Sequence, residues 1–403
     1  MDIEIKPTRL AGRIQAPPSK SMAHRLLICG GLAAGESIIH GISDSEDISA
    51  TLDCLSALGA TYTREGDTVR IRGIDPQSAP AATLPCRESG STLRFFIPLC
   101  LLSGRKMTLT GAPRLLERPL SVYESIAADQ HMIFSRERES VTVGGRLRAG
   151  EYRIPGNISS QFISGLLFAL PLLPQDSILA VLPPIESRSY LLLTIEALRL
   201  FGVTVEWRDE RTLFIRGGQQ YTPRECRVEG DYSNAAFFDA LTLFGADVAV
   251  DGLSPDSLQG DRVYRRYFEL LERGTPTIHI GDCPDLGPIL MAVAAARQGA
   301  VFCGTRRLRI KESDRGAVMA EELAKFGAAV TVHEDSIVVY PAAFHAPSAP
   351  LSGHNDHRIV MALTTLLTQT GGIIRGAEAV RKSLPSYFDL LASLGAEVTV
   401  YEA

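Results

Sequence analysis

Lysines, arginines and hydroxyls gather in short polar turns, and each turn runs into an apolar stretch. In Pro17-Pro-Ser-Lys-Ser-Met-Ala-His-Arg25 the prolines stop a strand, Ser19 is placed to cap a helix, and Lys20 and Arg25 flank the free amides of its first turn. In Glu88-Ser-Gly-Ser-Thr-Leu-Arg94, Gly90 lets a ligand approach the backbone while Ser91 and Thr92 supply hydroxyls. Gly156-Asn-Ile-Ser-Ser-Gln161 places Ser159, Ser160 and Gln161 at a third helix start. Free amides beside a cation attract phosphate and carboxylate. One such turn is ordinary capping, but its repetition predicts a binder of small anions.

Further cations stand outside the apolar periodicity in Glu117-Arg-Pro119, Glu186-Ser-Arg-Ser-Tyr190, Asn355-Asp-His-Arg358 and Arg381-Lys382. Lys311, Glu312, Asp314 and Arg315 follow a buried-looking strand and face a helix start, a place suited to acid and base chemistry. Asp285, in Gly281-Asp-Cys-Pro-Asp-Leu-Gly287, is a carboxylate at another helix start.

The elements that must hold these turns repeat along the chain. An apolar helix running into Leu-Gly or Phe-Gly and then an alternating strand occurs at residues 52–61, 194–205, 238–248, 319–330 and 389–398, with a degraded sixth copy at Ser121 to Phe134. The glycine sits where a helix end needs positive φ, and the residues after it alternate with the period of a strand. A second recurrent element, a small-residue apolar helix followed by a short strand, begins at Leu26, Leu93, Phe162, Pro288 and Ile359. About six βαβαββ units of roughly 65 residues result, shared between two domains with a break near Arg227-Val-Glu-Gly-Asp231.

Composition bounds the partners. The chain has 403 residues, with 41 Lys and Arg against 46 Asp and Glu, so any basic site is local and a general nucleic-acid surface is not expected. No apolar run reaches membrane-spanning length and Met1 to Leu10 lacks a signal-peptide core, so a cytoplasmic location is expected. Seven cysteines without CxxC spacing point to small core residues, and His354 and His357 lack obvious further ligands, so no metal is expected.

The ordered set of motifs resembles the 5-enolpyruvylshikimate-3-phosphate synthase family of enolpyruvyl transferases. It runs from Pro18-Ser-Lys-Ser-Met-Ala-His-Arg25 through Ser89-Gly-Ser-Thr-Leu-Arg94, Glu117-Arg-Pro119, Ser159-Ser-Gln161, Ser187 with Tyr190, Asp285, Lys311-Glu-Ser-Asp-Arg315 and Asn355-Asp-His-Arg358 to Lys382-Ser-Leu-Pro385. The resemblance implies two inside-out α/β domains, each of three βαβαββ units, closing over their substrates about a hinge cleft. It places residues 1–18 and 230–403 in one domain, on the phosphoenolpyruvate side, and 19–229 in the other, on the shikimate 3-phosphate side.

The implied reaction moves the enolpyruvyl group of phosphoenolpyruvate onto the 5-hydroxyl of shikimate 3-phosphate and releases phosphate, with no metal or organic cofactor. By the same resemblance Lys20, Ser21, Arg25, Ser159, Ser160, Gln161, Ser187, Asp285 and Lys311 match shikimate 3-phosphate contacts. Lys20, Gly90, Arg118, Gln161, Arg315, Arg358 and Lys382 match phosphoenolpyruvate contacts. Asp285 matches the proton acceptor and Glu312 the donor, with Lys20 the third catalytic residue.

The sequence departs from the pattern at Glu88, where several members have Asn, and at Arg307, where some place a substrate-contacting Asn. The segment from Ala127 to Gly150 is short and lacks the Leu-Gly turn. Two alternatives remain. A sister enzyme acting on UDP-N-acetylglucosamine has a Cys in the loop before the family's Arg, and Lys106 to Arg118 contains none. A non-catalytic anion-binding relative lacks one carboxylate, whereas both Asp285 and Glu312 are present. A monomer is expected, without nucleic-acid or membrane partners.

Overall fold

The computed structural model describes residues 1–401. Two compact units share the chain: Met1–Ser19 joins the chain from Gly230 onward, and Lys20–Glu229 forms the other. Each has its own apolar core. No helix among the described residues is long and apolar enough to cross a membrane.

The unit of residues 20–229 contains helices α1 (Lys20–Leu32), α2 (Glu46–Ala57), α3 (Gly90–Cys100), α4 (Pro113–Glu117), α5 (Ser121–Asp129), α6 (Ser160–Ala169) and α7 (Arg188–Leu200). Its three four-stranded sheets follow one plan. Strand Thr83–Pro85 leads through α3 to the parallel strand Met107–Thr110, and α5 then leads to a hairpin, Ile133–Arg136 with Ser140–Gly144, that pairs antiparallel. Strands from Glu151 to Ile215 repeat this around α6 and α7. In the third sheet, α1 and α2 flank Glu36–His40, and the parallel edge strand Glu225–Arg227 comes from the far end of the unit.

The other unit contains α8 (Tyr232–Asp239), α9 (Tyr264–Arg273), α10 (Gly287–Ala295), α11 (Arg315–Ala324), α12 (His357–Thr370) and α13 (Tyr387–Ser393). Two sheets again have four strands, and the second is completed by Asp2–Lys6 lying antiparallel between Gly372–Arg375 and Glu397–Tyr401. The remaining repeat is reduced. Ala11–Gln15 pairs parallel with Asp247–Asp251 beside α8, and α9 follows without a hairpin, leaving two strands.

Helix composition explains the layering. Every residue of α10, Gly-Pro-Ile-Leu-Met-Ala-Val-Ala-Ala, is buried, which suits a helix packed on all sides by α9, α11 and α12. By contrast α9, Tyr-Arg-Arg-Tyr-Phe-Glu-Leu-Leu-Glu-Arg, buries only Tyr264, Phe268 and Leu271. That i, i+4, i+7 spacing gives a single inward stripe. The first helix of each repeat is therefore interior, with the half-exposed sheets outside it, and its polar N-terminal turn is where buried helix and solvent meet.

The glycine pattern resolves into two positions. Gly59, Gly202, Gly327 and Gly395, with φ of 110°, 81°, 89° and 98°, end second helices; the first three lead into hairpins, and Gly395 leads into Glu397–Tyr401, which pairs with Asp2–Lys6. Gly245, with φ 84°, instead follows α8, a first helix, and leads into a parallel strand. The degraded copy from Ser121 is complete in structure: His131 takes the left-handed turn with φ 56° where the others use glycine. The short segment from Ala127 to Gly150 thus folds as a regular helix end and hairpin. Five of the seven cysteines are buried and Cys226 and Cys303 are half-buried, in line with core packing.

Candidate active site

In the unit from Gly230 onward, the sequence-selected charges converge on one carboxylate. Asp285 lies in the tight turn Pro284–Leu286 that feeds α10, and its Oδ1 accepts from Lys311 Nζ at 3.0 Å and Arg315 Nη1 at 2.8 Å. Arg358 Nη2 stands 3.5 Å from Oδ2. Arg315, only 1% exposed at the start of α11, also donates to Glu312 Oε2 at 2.9 Å and, through Nε, to Asp356 Oδ2 at 2.9 Å. A single guanidinium thus holds three carboxylates in fixed relation, the geometry for which arginine's rigid fork is suited.

Asp356 was not singled out from the sequence. It is fully buried, caps α12 by accepting from the Arg358 amide at 3.0 Å, and receives Ser313 Oγ at 3.0 Å. Its signal was the Asp two residues before a cation at a helix start, a pattern also satisfied by simple capping. Lys382 Nζ donates to the Asn355 carbonyl at 2.7 Å, so the last predicted cation reaches the same turn.

The electrostatics reflect this crowding. Burial acts to raise the Asp285 carboxyl, but Lys311, Arg358 and Arg315 outweigh it and hold the group well below the usual carboxylate range. Burial pushes the Lys311 ammonium down to about 8 even though Asp285 favours its charge, and the nearby Arg315 and Arg307 add to the depression. Arg307, where the chain departs from the family pattern, is buried near Gly281 and acts on the site as a fixed positive charge. Asp261, also missed by sequence reasoning, is 3% exposed and accepts from Ser233 Oγ. Burial and then the Asp285 charge push its carboxyl up to about 7.

In the unit of residues 20–229, Lys20 opens α1 and donates to Asp47 Oδ2 at 2.8 Å. Asp47 lies in the first turn of α2, after the Ser45 cap, and was likewise missed. Ser21 is the second residue of α1, and its carbonyl accepts from Arg25 Nη1 at 2.5 Å. Arg25 is 3% exposed, and its other donors reach Thr194 Oγ1 at 2.8 Å and the Tyr190 carbonyl at 3.1 Å, with the guanidinium 5.3 Å from the Phe95 ring centroid. Burial pushes its pKa down to about 10. Arg25 thereby ties α1 to α7 as well as lending positive charge to the turn. Ser187 stands at the N-cap of α7 with φ 57° and ψ 40°, a left-handed conformation that a serine adopts only under local constraint.

Gly90 is the first residue of α3, capped by Ser89, whose Oγ accepts from the Thr92 amide at 3.2 Å. A buried chain of polar contacts continues from Ser89 through Thr92 Oγ1 and Thr51 Oγ1 to His24 Nδ1, with steps of 2.7, 2.8 and 2.7 Å. It ties α1 and the middle of α2 to the start of α3. Burial, with Lys20 and Arg25 close by, holds His24 well below the ordinary imidazole range and hence neutral. Ser159 caps α6, Ser160 opens it, and Gln161 donates to Ser91 Oγ at 2.9 Å while accepting from Arg94 Nη1 at 2.7 Å. Arg94, a lone charge on an apolar helix, is 2% exposed and orients that amide.

The predicted residues therefore form local sets: Lys20 with Asp47, Gly90 with Arg118 and, through α3, Gln161, and the charged group around Asp285. Glu321, Glu322 and His354 also bring ligand atoms within 4.8 Å of one another, a grouping the sequence reading did not find. The Lys325 ammonium contacts both Glu322 oxygens there, at 2.9 and 2.8 Å, and supplies a positive counter-charge.

Residues 5–391 match the family model described as EPSP synthase (3-phosphoshikimate 1-carboxyvinyltransferase). The chain belongs to this family. It is 38% identical over 417 residues to the 3-phosphoshikimate 1-carboxyvinyltransferase of Clostridium kluyveri, covering 98% of each chain. The enzyme of the same name from Clostridium acetobutylicum is 38% identical over 419 residues, again with 98% of each covered. Among solved structures, EPSP synthase from Acinetobacter baumannii shares the fold with a TM-score of 0.80 at 23% identity, covering 99% of this chain and 100% of that one. The enolpyruvyl transferase NikO from Streptomyces tendae gives the same TM-score at 15% identity, with 100% and 99% covered. The α/β repeat architecture expected from the sequence is thus that of the family.

Proposed function

We propose that the chain transfers the enolpyruvyl group of phosphoenolpyruvate to the 5-hydroxyl of shikimate 3-phosphate, giving 5-enolpyruvylshikimate 3-phosphate and phosphate. The observation that carries this reading is Asp285, a half-buried carboxylate gripped by Lys311, Arg315 and Arg358, with Glu312 on the same Arg315. Both substrates are anions, and a cluster rich in buried cations suits them.

In the addition step the 5-hydroxyl oxygen bonds to the central carbon of phosphoenolpyruvate, its proton passes to Asp285, and Glu312 gives a proton to the methylene carbon. The tetrahedral intermediate then expels phosphate and returns a methyl proton to Glu312, which restores the carbon–carbon double bond and yields the enol ether. Without substrate, three cations hold Asp285 well below the usual carboxylate range, which makes it a weak base. Substrate phosphate and carboxylate groups compete for those cations, and Asp285 then gains proton affinity as the acceptor arrives. The base is thereby strengthened when both anions are in place.

Lys20, Ser21, Arg25, Ser159, Ser160, Gln161, Ser187, Asp285 and Lys311 take the roles of shikimate 3-phosphate contacts. Lys20, Gly90, Arg118, Gln161, Arg315, Arg358 and Lys382 take those of phosphoenolpyruvate contacts, with Lys20 shared and catalytic. The reading also carries a cytoplasmic monomer needing no cofactor, a state that sedimentation of the purified protein checks. The decisive assay is phosphate release from phosphoenolpyruvate with shikimate 3-phosphate and no added metal. Turnover with UDP-N-acetylglucosamine in its place, and none with shikimate 3-phosphate, overturns the assignment.

A further inference from the structure

Helix α11 carries Arg315 at its start and, seven residues later on the same side, Glu322, whose side chain is fully buried. Nothing in the reaction uses this carboxylate. Its Oε2 accepts from the Ser352 amide at 3.0 Å and its Oε1 contacts His354 Nε2 at 2.9 Å. Lys325, which caps the end of α11, bonds both oxygens and also reaches the Pro350 carbonyl at 3.3 Å. One helix thus clamps the backbone from Pro350 to His354.

The clamped strand runs directly into two consecutive left-handed residues, His354 with φ 46° and Asn355 with φ 54°. For non-glycine residues each such conformation is strained relative to the ordinary right-handed one, so the pair needs outside support. The bend delivers the chain into the anion-binding machinery. The Asn355 carbonyl holds Lys382 Nζ, the Asp356 carboxylate holds Arg315 and Ser313, and Arg358 leaves from the first turn of α12.

We propose that Glu322 is a positioning residue for phosphoenolpyruvate. It pins the left-handed turn at His354 and Asn355, and through that turn sets the places of Lys382, Arg315 and Arg358. The inference rests on the proposed pair of substrates, and wild-type turnover of the two tests that pairing separately. Glu322 touches no substrate, and its effect is selective because the cations that meet or leave this turn, Lys382, Arg315 and Arg358, are the ones assigned to phosphoenolpyruvate.

The test is steady-state kinetics on full-length Glu322→Ala, Glu322→Gln and His354→Ala, alongside melting temperature. Glu322→Ala should raise KM for phosphoenolpyruvate about tenfold or more, while KM for shikimate 3-phosphate stays within about twofold. Glu322→Gln keeps one acceptor for the Ser352 amide and should recover most of that loss. His354→Ala, at a partly exposed position, removes one of the two anchors and should give a smaller rise of the same selectivity, so it carries the test if Glu322→Ala does not fold. A purely structural residue would lower melting temperature and the fraction of active enzyme while leaving both KM values in place. That outcome, or an equal rise in both KM values, overturns the proposal.

Discussion

The Arg118 guanidinium packs directly against the α-carbon of Gly90: a Cβ built there would meet Nη1 at 2.6 Å and Cζ at 2.9 Å. Arg118 is 7% exposed, so its head cannot simply swing into solvent. Gly90→Ala should displace it and weaken phosphoenolpyruvate. Losing a charge-assisted contact of about 1.5–3 kcal/mol corresponds to a rise in KM of roughly ten- to a hundredfold. Binding of glyphosate, the family's inhibitor, should weaken in parallel, as inhibition kinetics on the variant would reveal; unchanged values for both ligands would refute the crowding argument.

Replacing Asp285 or Glu312 tests the proton roles. Asp285→Ala and Glu312→Gln should each cut kcat by about 10²–10⁴-fold, the ordinary size of a general acid or base contribution. Circular dichroism and melting curves on the same preparations separate this from unfolding. Near-wild-type kcat in either variant removes that residue from the mechanism.

The ion pair between Arg315 and Asp356 makes a stability prediction. Both side chains are almost wholly buried, so Asp356→Ala leaves part of the guanidinium's charge without a partner. Breaking such a pair from one side costs about 3–5 kcal/mol, whereas Asp356→Asn, which keeps an acceptor, should cost less. Urea denaturation measures both, and equal stabilities would show that the pair contributes nothing net.

Lys311 gives a pH dependence with a definite sign. Its folded pKa, lowered from the ordinary lysine value to about 8, means that folding disfavours its charged form below pH 8. That penalty is relieved as pH rises from about 8 toward the unfolded lysine value of about 10.5. An incoming phosphate restores the charge, so shikimate 3-phosphate should bind with proton uptake near pH 8–9. Titration calorimetry in buffers of different ionisation enthalpy reads this uptake directly. Lys311→Arg should abolish it. Asp285 gives the same slope in an acidic window: its depressed carboxyl contributes stability above the unfolded pKa of about 4, and that contribution is lost as pH falls through the folded value.

His131 offers a test of the repeat itself. It alone fills with a side chain the left-handed turn that four second helices give to glycine. His131→Gly should relieve about 1 kcal/mol of strain, less the glycine's extra unfolded-state entropy, and raise the melting temperature slightly. A lower melting temperature would mean that the imidazole contributes more than its conformation costs.

Much of the architecture was open to reading from one chain. Buried first helices such as α10 are apolar on every face, and second helices such as α9 show a single stripe, so period and composition separate them. The glycine turns were visible, but Gly245 and Gly59 look alike in sequence although one precedes a parallel strand and the other a hairpin. Which strand pairs with which is a long-range matter. Nothing local marks Glu225–Arg227 or Asp2–Lys6 as strands that complete distant sheets.

The sequence by itself determined which charged residues sit at helix starts, because the apolar runs behind Lys20, Gly90, Asp285 and Arg358 can only be interior and their polar ends must face away from the core. It could not say which charge meets which. The contacts of Arg315 with Asp285 and Asp356, of Lys20 with Asp47, and of Glu322 with Ser352 and His354 join residues 27 to 41 positions apart. Only tertiary packing brings those groups within about 3 Å of one another, and a low-dielectric interior, which makes every unmatched charge costly, requires that they meet as pairs.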